Sequence, residues 1–300
     1  MVVTGRTLGR FRLEHELGSG GHGRVWSAVD TLLGDSVALK VLHPELVNEG
    51  DAKERLKREV VLARRVQHRG ICRVNDLHEI DGTLVISMQL APGVDLDALL
   101  EQQQLSVTRA LRIIDRIADA VAAAHDEDVI HRDLKPSNII VDDNDDIVVL
   151  DFGIASASDL GRLTEPGVVV GTLRFVAPEV LETARASARS DLYAIGVVGW
   201  ALLAGRLPWG RPTSVMQLLN DLERGPPDLR AVNPAVPVAV ANVILTAMSR
   251  DPDDRYADVK SFQRALALAA SSLVSTSTPT AAASPAPRAQ ATQIVRSRNK

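Results

Sequence analysis

The densest polar run in the chain is His131-Arg132-Asp133-Leu134-Lys135-Pro136-Ser137-Asn138, which sets a carboxylate, cations and a carboxamide within a few positions. Asp151-Phe152-Gly153 follows, directly after an apolar stretch ending at Leu150, and Gly171-Thr172 and Ala177-Pro178-Glu179 come later. Polar groups at this density rarely recur by chance at a set spacing. Far upstream, Leu17-Gly18-Ser19-Gly20-Gly21-His22-Gly23-Arg24-Val25 holds the spacing G-x-G-x-x-G followed by x-V. Glycines let backbone amides approach phosphate oxygens without a Cβ in the way. The same spacing fits a dinucleotide fold, in which a helix should open at the third glycine. Here residues 24–29 are strand-like, so a phosphate-binding hairpin and an ordinary glycine-rich hairpin both stay open. Val37-Ala38-Leu39-Lys40 puts a lysine at the end of an apolar strand. Such a lysine often only snorkels to the surface. Glu59, on the same helical side as the apolar stripe, offers the alternative of a Lys40–Glu59 ion pair that holds the lysine against phosphates; a surface glutamate is the plainer reading.

These residues need elements to carry them. Runs at 24–29, 36–42 and 83–90, bounded by Gly or Asp, read as strands. A helix over 51–67 interrupts them, with Leu56, Val60, Ala63 and Val66 at the helical period, basic residues on the opposite face and Gly70 just past its end. From Asp95 the pattern turns helical. Ser106 or Thr108 caps a helix to about His125 whose stripe is Leu111, Ile114, Ile117, Ala118 and Val121. Short strands at 139–141 and 147–150 flank the acidic turn Asp142–Asp146, which lacks the Gly and distal Glu of a calcium loop and reads as a solvated hairpin. Helices are expected at 187–204, 214–223, 238–249 and 258–270. A small sheet-rich lobe therefore precedes a larger helical one.

Composition narrows the class. Of 300 residues, 45% are hydrophobic but only 3% aromatic, so Leu, Val, Ile and Ala build the core. The net charge of −4 argues against a general nucleic-acid or membrane-surface binder. Cys72 is the only cysteine, which suits a reducing cytosol and reads as a packed residue. The start of the chain has no apolar stretch of signal-peptide length, and the longest apolar run, residues 192–204, falls short of the ~20 residues of a spanning helix. Residues 271–300 shift to Ser, Thr, Ala and Pro and carry Arg296, Arg298 and Lys300; they read as a disordered tail or linker, with a basic arm for a specific partner as the alternative.

In this order and spacing the motifs resemble a eukaryotic-type (Hanks-type) protein kinase, most of all the serine/threonine kinases of bacteria, over about residues 9–270. The resemblance implies an α+β, bilobal fold: an antiparallel sheet lobe with one regulatory helix (about 9–90) and a mainly helical lobe (about 91–270), with 271–300 as tail. It implies transfer of the γ-phosphoryl of ATP to Ser or Thr of protein substrates, with ATP and Mg²⁺ (or Mn²⁺) as cofactors. Asp133 is then the base, Lys135 and Lys40 the cations near the phosphates, Glu59 the partner of Lys40, and Thr172 a hydrogen-bonding residue aimed at Asp133 and Lys135. Asn138 and Asp151 are the implied metal ligands. Gly18, Gly20 and Gly23 cover the phosphates. Leu17, Val25, Ala38 and Ile140 sandwich the base, Met88 is the gatekeeper, and Gln89, Leu90 and Ala91 form the hinge. Asp95 lies where relatives place an acid near the ribose, although a helix N-terminus favours Asp anyway.

Glu179 with Arg255, and Asp191, resemble structural anchors. Arg132 resembles the arginine that pairs with an activation-loop phosphate, for which Thr164 is the expected site and Ser156 and Ser158 are rivals. A nucleotide-binding pseudokinase scaffold and a small-molecule kinase are the competing readings. Against the first stand Lys40, Asp133, Asn138 and Asp151, all present; against the second stands the 171–179 segment with Arg255. Ser137 gives no support for arginine upstream of the acceptor. No nucleic-acid partner and no membrane span are expected. The chain reads as a cytoplasmic enzyme or as the cytosolic part of a longer receptor kinase, and a homodimer for trans-autophosphorylation is compatible with that.

Overall fold

The computed structural model describes residues 5–21, 23–44, 52–152, 172–210 and 214–275. The calls on His22, Gly153, Ser156, Ser158, Thr164, Gly171 and residues 276–300 lie outside that set. The first strands form one antiparallel sheet in the order β1-β2-β3-β4-β6-β5: β1 (Thr7–Leu8), β2 (Phe11–Gly20), β3 (Gly23–Asp30), β4 (Ser36–Leu42), β5 (Val74–Ile80) and β6 (Thr83–Gln89). Alternation decides what each face meets. On β4, Val37 and Leu39 join Phe11, Leu13 and Trp26 in one cluster, whereas Ala38 and Leu42 join Val60, Ala63, Ile86 and Met88 in another. The β5–β6 hairpin turns at Asp81 and Gly82, both with positive φ (50° and 75°), the backbone that an Asp-Gly pair favours in a two-residue turn.

Helix α1 (Ala52–Ala63) is shorter than the periodic stretch at 51–67; it buries Val60 and Ala63, and Val66 turns away into the core of the other lobe. The lobes meet where the chain runs on from α1. Gly70 O accepts from Val149 N (2.8 Å) and Cys72 N donates to Val149 O (2.9 Å). A Cβ on Gly70 would sit 3.2 Å from both Ala120 Cβ and Ile147 Cδ1, so the close approach favours a residue without a side chain.

The larger lobe is helical: α2 (Leu96–Gln102), α3 (Val107–Asp126), α4 (Pro178–Thr183), α5 (Ala188–Ala204), α6 (Val215–Arg224), α7 (Leu229–Val232), α8 (Val238–Ala247) and α9 (Val259–Ser275). A second sheet, β7 (Val94–Asp95), β8 (Ile139–Val141) and β9 (Ile147–Val149), lies at its top. Ser106, Ser187 and Ser214 cap α3, α5 and α6 with their hydroxyls, each satisfying an amide the helix leaves open. Helix α5 is apolar on every side because α3 and α8 pack around it. At Gly196 and Gly199 a Cβ would meet Met248 Cγ at 2.7 Å and Ile244 Cδ1 at 3.0 Å, so α8 sits closer than an alanine allows. Among the described residues no helix is long and apolar enough to cross a membrane. Helix α9 continues to Ser275, past the expected boundary at 270.

A buried ion pair ties α4 to the base of this lobe. Arg255 holds Glu179 with two parallel bonds (2.8 and 2.7 Å) and donates to the carbonyls of Ser249, Arg189 and Arg250. Its side chain is fully buried and lies over the Tyr193 ring. Removing one member leaves the other charged and unpaired. Arg255→Leu is therefore expected to lower unfolding free energy by about 3–5 kcal/mol, read from urea denaturation. Adding Glu179→Leu should recover only part of that loss, because the three carbonyls still lack a donor.

Cys72 lies in the cluster between α1 and the sheet. Burial pushes its thiol up to about 12, so the folded chain keeps the proton while the unfolded chain releases it near pH 9. The contribution is fully present below pH 9 and falls as pH rises from about 9 to 12. Alkylation by iodoacetamide at pH 8 should be slow in the native chain and fast in urea. The stability difference between wild type and Cys72→Ala should shrink steadily above pH 9; a difference independent of pH would contradict the assignment.

Candidate active site

The backbone of residues 131–133, where the base is expected, hangs on one buried carboxylate. Asp191, in the first turn of α5, accepts from His131 N (2.7 Å), Arg132 N (3.0 Å) and His125 Nε2 (2.8 Å). His131 is itself buried. Its Nε2 donates to Leu150 O (2.9 Å) and its Nδ1 accepts from Asp133 N (3.3 Å), which defines the tautomer. Phe152 stacks edge-on against the same imidazole at 4.6 Å. Arg132 and Asp151 both adopt positive φ (71° and 59°), a conformation that costs energy outside glycine and gathers at functional positions.

Asp133, Lys135 and Asn138 come together. Lys135 Nζ donates to Asp133 Oδ2 at 2.7 Å. Asn138 Nδ2 donates to Asp133 O (2.8 Å) and Oδ2 (3.1 Å). The short 3-10 turn Pro136–Asn138 brings these side chains back onto the aspartate. Thr172 opens the turn Thr172–Phe175, but its side chain lies outside the described set.

The expected Lys40–Glu59 pair is not made. Lys40, 5% exposed, puts Nζ on Asp151 Oδ2 at 2.7 Å, and Glu59 Oε1 lies 3.3 Å from Arg132 Nη1. The physical reason is local neutralisation: each half-buried carboxylate takes a cation within reach, and the positive φ of Asp151 sits in the cleft segment that Lys40 faces. Both arrangements leave every charge with an opposite partner. Sequence reasoning assigned Arg132 only to a phosphate and passed over His125 and His131. Little local marks these as hubs, because the partners that tie them to other segments are from 19 to 73 residues away.

Most of the residues expected to face the nucleotide lie on or beside the sheet. Val25 is opposite Lys40, and Ala38 is opposite Met88. Val25, Ala38, Met88 and Leu90 share one cluster with Val148 and Leu150 of the other lobe. Ile140 sits on β8, paired with Asp95 and Val148. Leu17 is 47% exposed. Gln89 N donates to Arg73 O, and among the described residues Leu90 and Ala91 make no backbone hydrogen bond. Asp95 caps α2 through Ala98 N (2.8 Å), so its geometry is explained by helix capping.

The donor set fits a nucleotide with a hard cation. At Gly18, Gly20 and Gly21 an added Cβ would meet nothing within 4 Å, whereas at Gly23 (φ 148°) it would lie 2.1 Å from Val41 O. Glycine is thus required at 23 by packing, and the loop ahead of it is open for close backbone approach. Asn138 has its Nδ2 on Asp133, which leaves the carboxamide oxygen as a hard donor, and Asp151 supplies a carboxylate. Among the described residues no group of three or more His, Cys, Asp or Glu is placed to hold a metal.

Comparison with known proteins gives the same frame. The chain is 35% identical over 257 residues to the serine/threonine-protein kinase PrkC of Bacillus subtilis, covering 85% of this chain and 40% of that protein. It is 39% identical over 254 residues to the serine/threonine-protein kinase PknE of Mycobacterium bovis, covering 84% and 44%. The chain thus spans about two fifths of the length of the curated relatives it matches. Among solved structures, the PknI kinase domain of Mycobacterium tuberculosis superposes with a TM-score of 0.73 at 27% identity, covering 90% of this chain and 100% of that one. With the protein kinase domain family matching residues 11–265, the chain belongs to the protein kinase domain family.

Proposed function

We propose that this chain transfers the γ-phosphoryl group of ATP to serine or threonine hydroxyls of protein substrates and autophosphorylates its own activation loop. The observation that carries the reading is the hydrogen-bonded set Asp133, Lys135 and Asn138, facing a cleft where Lys40 and Asp151 pair at 2.7 Å. The names of the relatives support the Ser/Thr class. ATP with Mg²⁺ supplies the transferable phosphoryl group and its charge neutralisation. The residues of the chain position the acceptor and take up its proton. Asp133 orients the acceptor hydroxyl and takes its proton. Lys135, already on Asp133 Oδ2, steadies that carboxylate and places a positive charge beside the transferred group. Asn138 Oδ1 and the Asp151 carboxylate would hold the cation, and Lys40 would hold the phosphates. The glycine loop excludes water above them.

Regulation follows from the same charges. A phosphate on Thr164 would bind Arg132 as a bidentate acceptor stronger than one carboxylate oxygen at 3.3 Å. Glu59 would then be released to pair with Lys40, and Lys40 would leave Asp151 to the cation.

Purified full-length wild type and Asp133→Asn, each incubated with Mg-ATP, test the reading by phosphopeptide mass spectrometry. Phosphoserine or phosphothreonine should appear in wild type, with turnover about 10²- to 10⁴-fold lower in the variant. ATP binding without phosphate in either protein would point instead to a nucleotide-binding scaffold. For regulation, wild type should accelerate after preincubation with Mg-ATP, and Arg132→Ala should show the same rate before and after. Acceleration preserved in Arg132→Ala would sink the role given to that arginine.

A further inference from the structure

The two expected cation ligands stand at the open end of one hairpin. Asn138 directly precedes β8, and Asp151 follows two residues after β9. Leu150 N donates to Asn138 O (2.8 Å) and closes the ladder between them. The register of β8 on β9 (Ile139↔Val149, Ile140↔Val148, Val141↔Ile147) therefore sets where one ligand lies relative to the other. Ile139, Val141, Ile147 and Val149 are all buried in the core of the larger lobe. Burial of alternate residues forbids a slip of one position, because that would turn the apolar set outward. It is indifferent to a slip of two, so the turn must supply the rest of the register.

The acidic turn 142–146 departs from the solvated hairpin that its composition suggests. Asp145 is 6% exposed and adopts φ 61°, an unfavourable backbone for a residue with a side chain. Its carboxylate folds back onto α3, where Arg109 Nε donates to Oδ1 (2.6 Å) and Arg112 Nη1 to Oδ2 (2.9 Å). Arg116, one turn further, donates to Asn144 O (3.2 Å) and pairs with Asp146 (3.1 Å). At its other end α3 carries His125, bonded to the Asp191 that holds the backbone of His131 and Arg132. One helix thus holds both the hairpin with the cation ligands and the loop with the expected base.

We propose that Asp145 is a positioning residue for the divalent cation: clamped by Arg109 and Arg112, it fixes the register of the hairpin and with it the separation of Asn138 and Asp151. The inference rests on the phosphoryl transfer proposed above. Three residues of each strand, about 10 Å, separate the turn from those ligands, so Asp145 acts through backbone geometry. A positive φ outside glycine persists only where its surroundings over-determine it. Two guanidinium groups on the two oxygens of one buried carboxylate meet that condition, and they also supply the partners without which the charge could not stay buried.

Mn²⁺ titrated into the full chain saturated with a non-hydrolysable ATP analogue, followed by electron paramagnetic resonance, tests this. Adenosine affinity, measured by calorimetry, reports separately on the base pocket. Asp145→Asn keeps a residue that tolerates positive φ and removes the charge. Its Mn²⁺ affinity should fall about tenfold, a usual effect of losing a group that orients a metal ligand, while adenosine binds as in wild type. Asp143→Asn, in the same turn but exposed and without a side-chain partner among the described residues, should match wild type in both. Should Asp145→Asn not fold, Arg112→Gln, whose side chain is half exposed, should show the same selective loss. Unchanged Mn²⁺ affinity in whichever of the two folds, or a parallel loss of adenosine affinity, would overturn the proposal and leave phosphoryl transfer standing. A wild type that binds no Mn²⁺ with the analogue would overturn both.

Discussion

A charge in a protein interior persists only when donors surround it, and Asp191 is the charge around which this lobe is arranged. It is 2% exposed, and it satisfies that condition by taking two successive backbone amides of the catalytic loop and a histidine from the end of α3. The consequence runs outward. With His131 N and Arg132 N directed at one carboxylate, the loop backbone must turn, and Arg132 takes its positive φ. That turn aims Asp133 at Lys135 and Asn138 and leaves His131 to bridge Leu150 O and Asp133 N. The segment carrying Asp151 is thereby tied to the segment carrying Asp133 through one imidazole. Rigid support of this kind is what transfer chemistry needs, because misplacement by an ångström costs much of the rate.

The cleft itself is less committed. Lys40, Asp151, Glu59 and Arg132 form two ion pairs that admit a second pairing of the same charges. Such exchanges have small net energies, since desolvation and Coulomb attraction nearly cancel in either scheme. They are therefore sensitive to any added anion or cation. The elements that carry these charges differ in how firmly they are held. Asp151 and Arg132 belong to segments bonded to His131 and Asp191. Glu59 rides on α1, which buries only Val60 and Ala63 fully. Adjustment of the pairing is thus most easily absorbed by α1, while the catalytic loop stays where α5 holds it.

Two buried anchors divide the labour in the larger lobe. Asp191 fixes the catalytic loop from the start of α5, and the Glu179–Arg255 pair fixes α4 from the chain beyond α8. Both use an ionised group to satisfy several backbone groups at once, which turns an expensive buried charge into a positional constraint.

Much of this was legible in the residues. Strand alternation at 36–42, the stripe of α3 with its cap at Ser106, and the helix starts at 187 and 214 are local patterns, and local patterns survive without tertiary context. The Asp133–Lys135–Asn138 cluster was equally legible, because its members lie within one turn of chain. Boundaries were less so: α1 stops at Ala63 because Val66 is claimed by the other lobe's core, and α9 runs on to Ser275. Partner choice was decided only by the tertiary structure. Lys40 and Asp151 are 111 positions apart, and Arg132 and Glu59 are 73 apart. Which cation meets which carboxylate depends on how α1, β4 and the catalytic loop are packed against one another. Residue types and spacing determined which charges the cleft would contain; the packing of distant elements determined how those charges pair, because Coulomb energies of competing pairs differ less than the packing energies that set their distances.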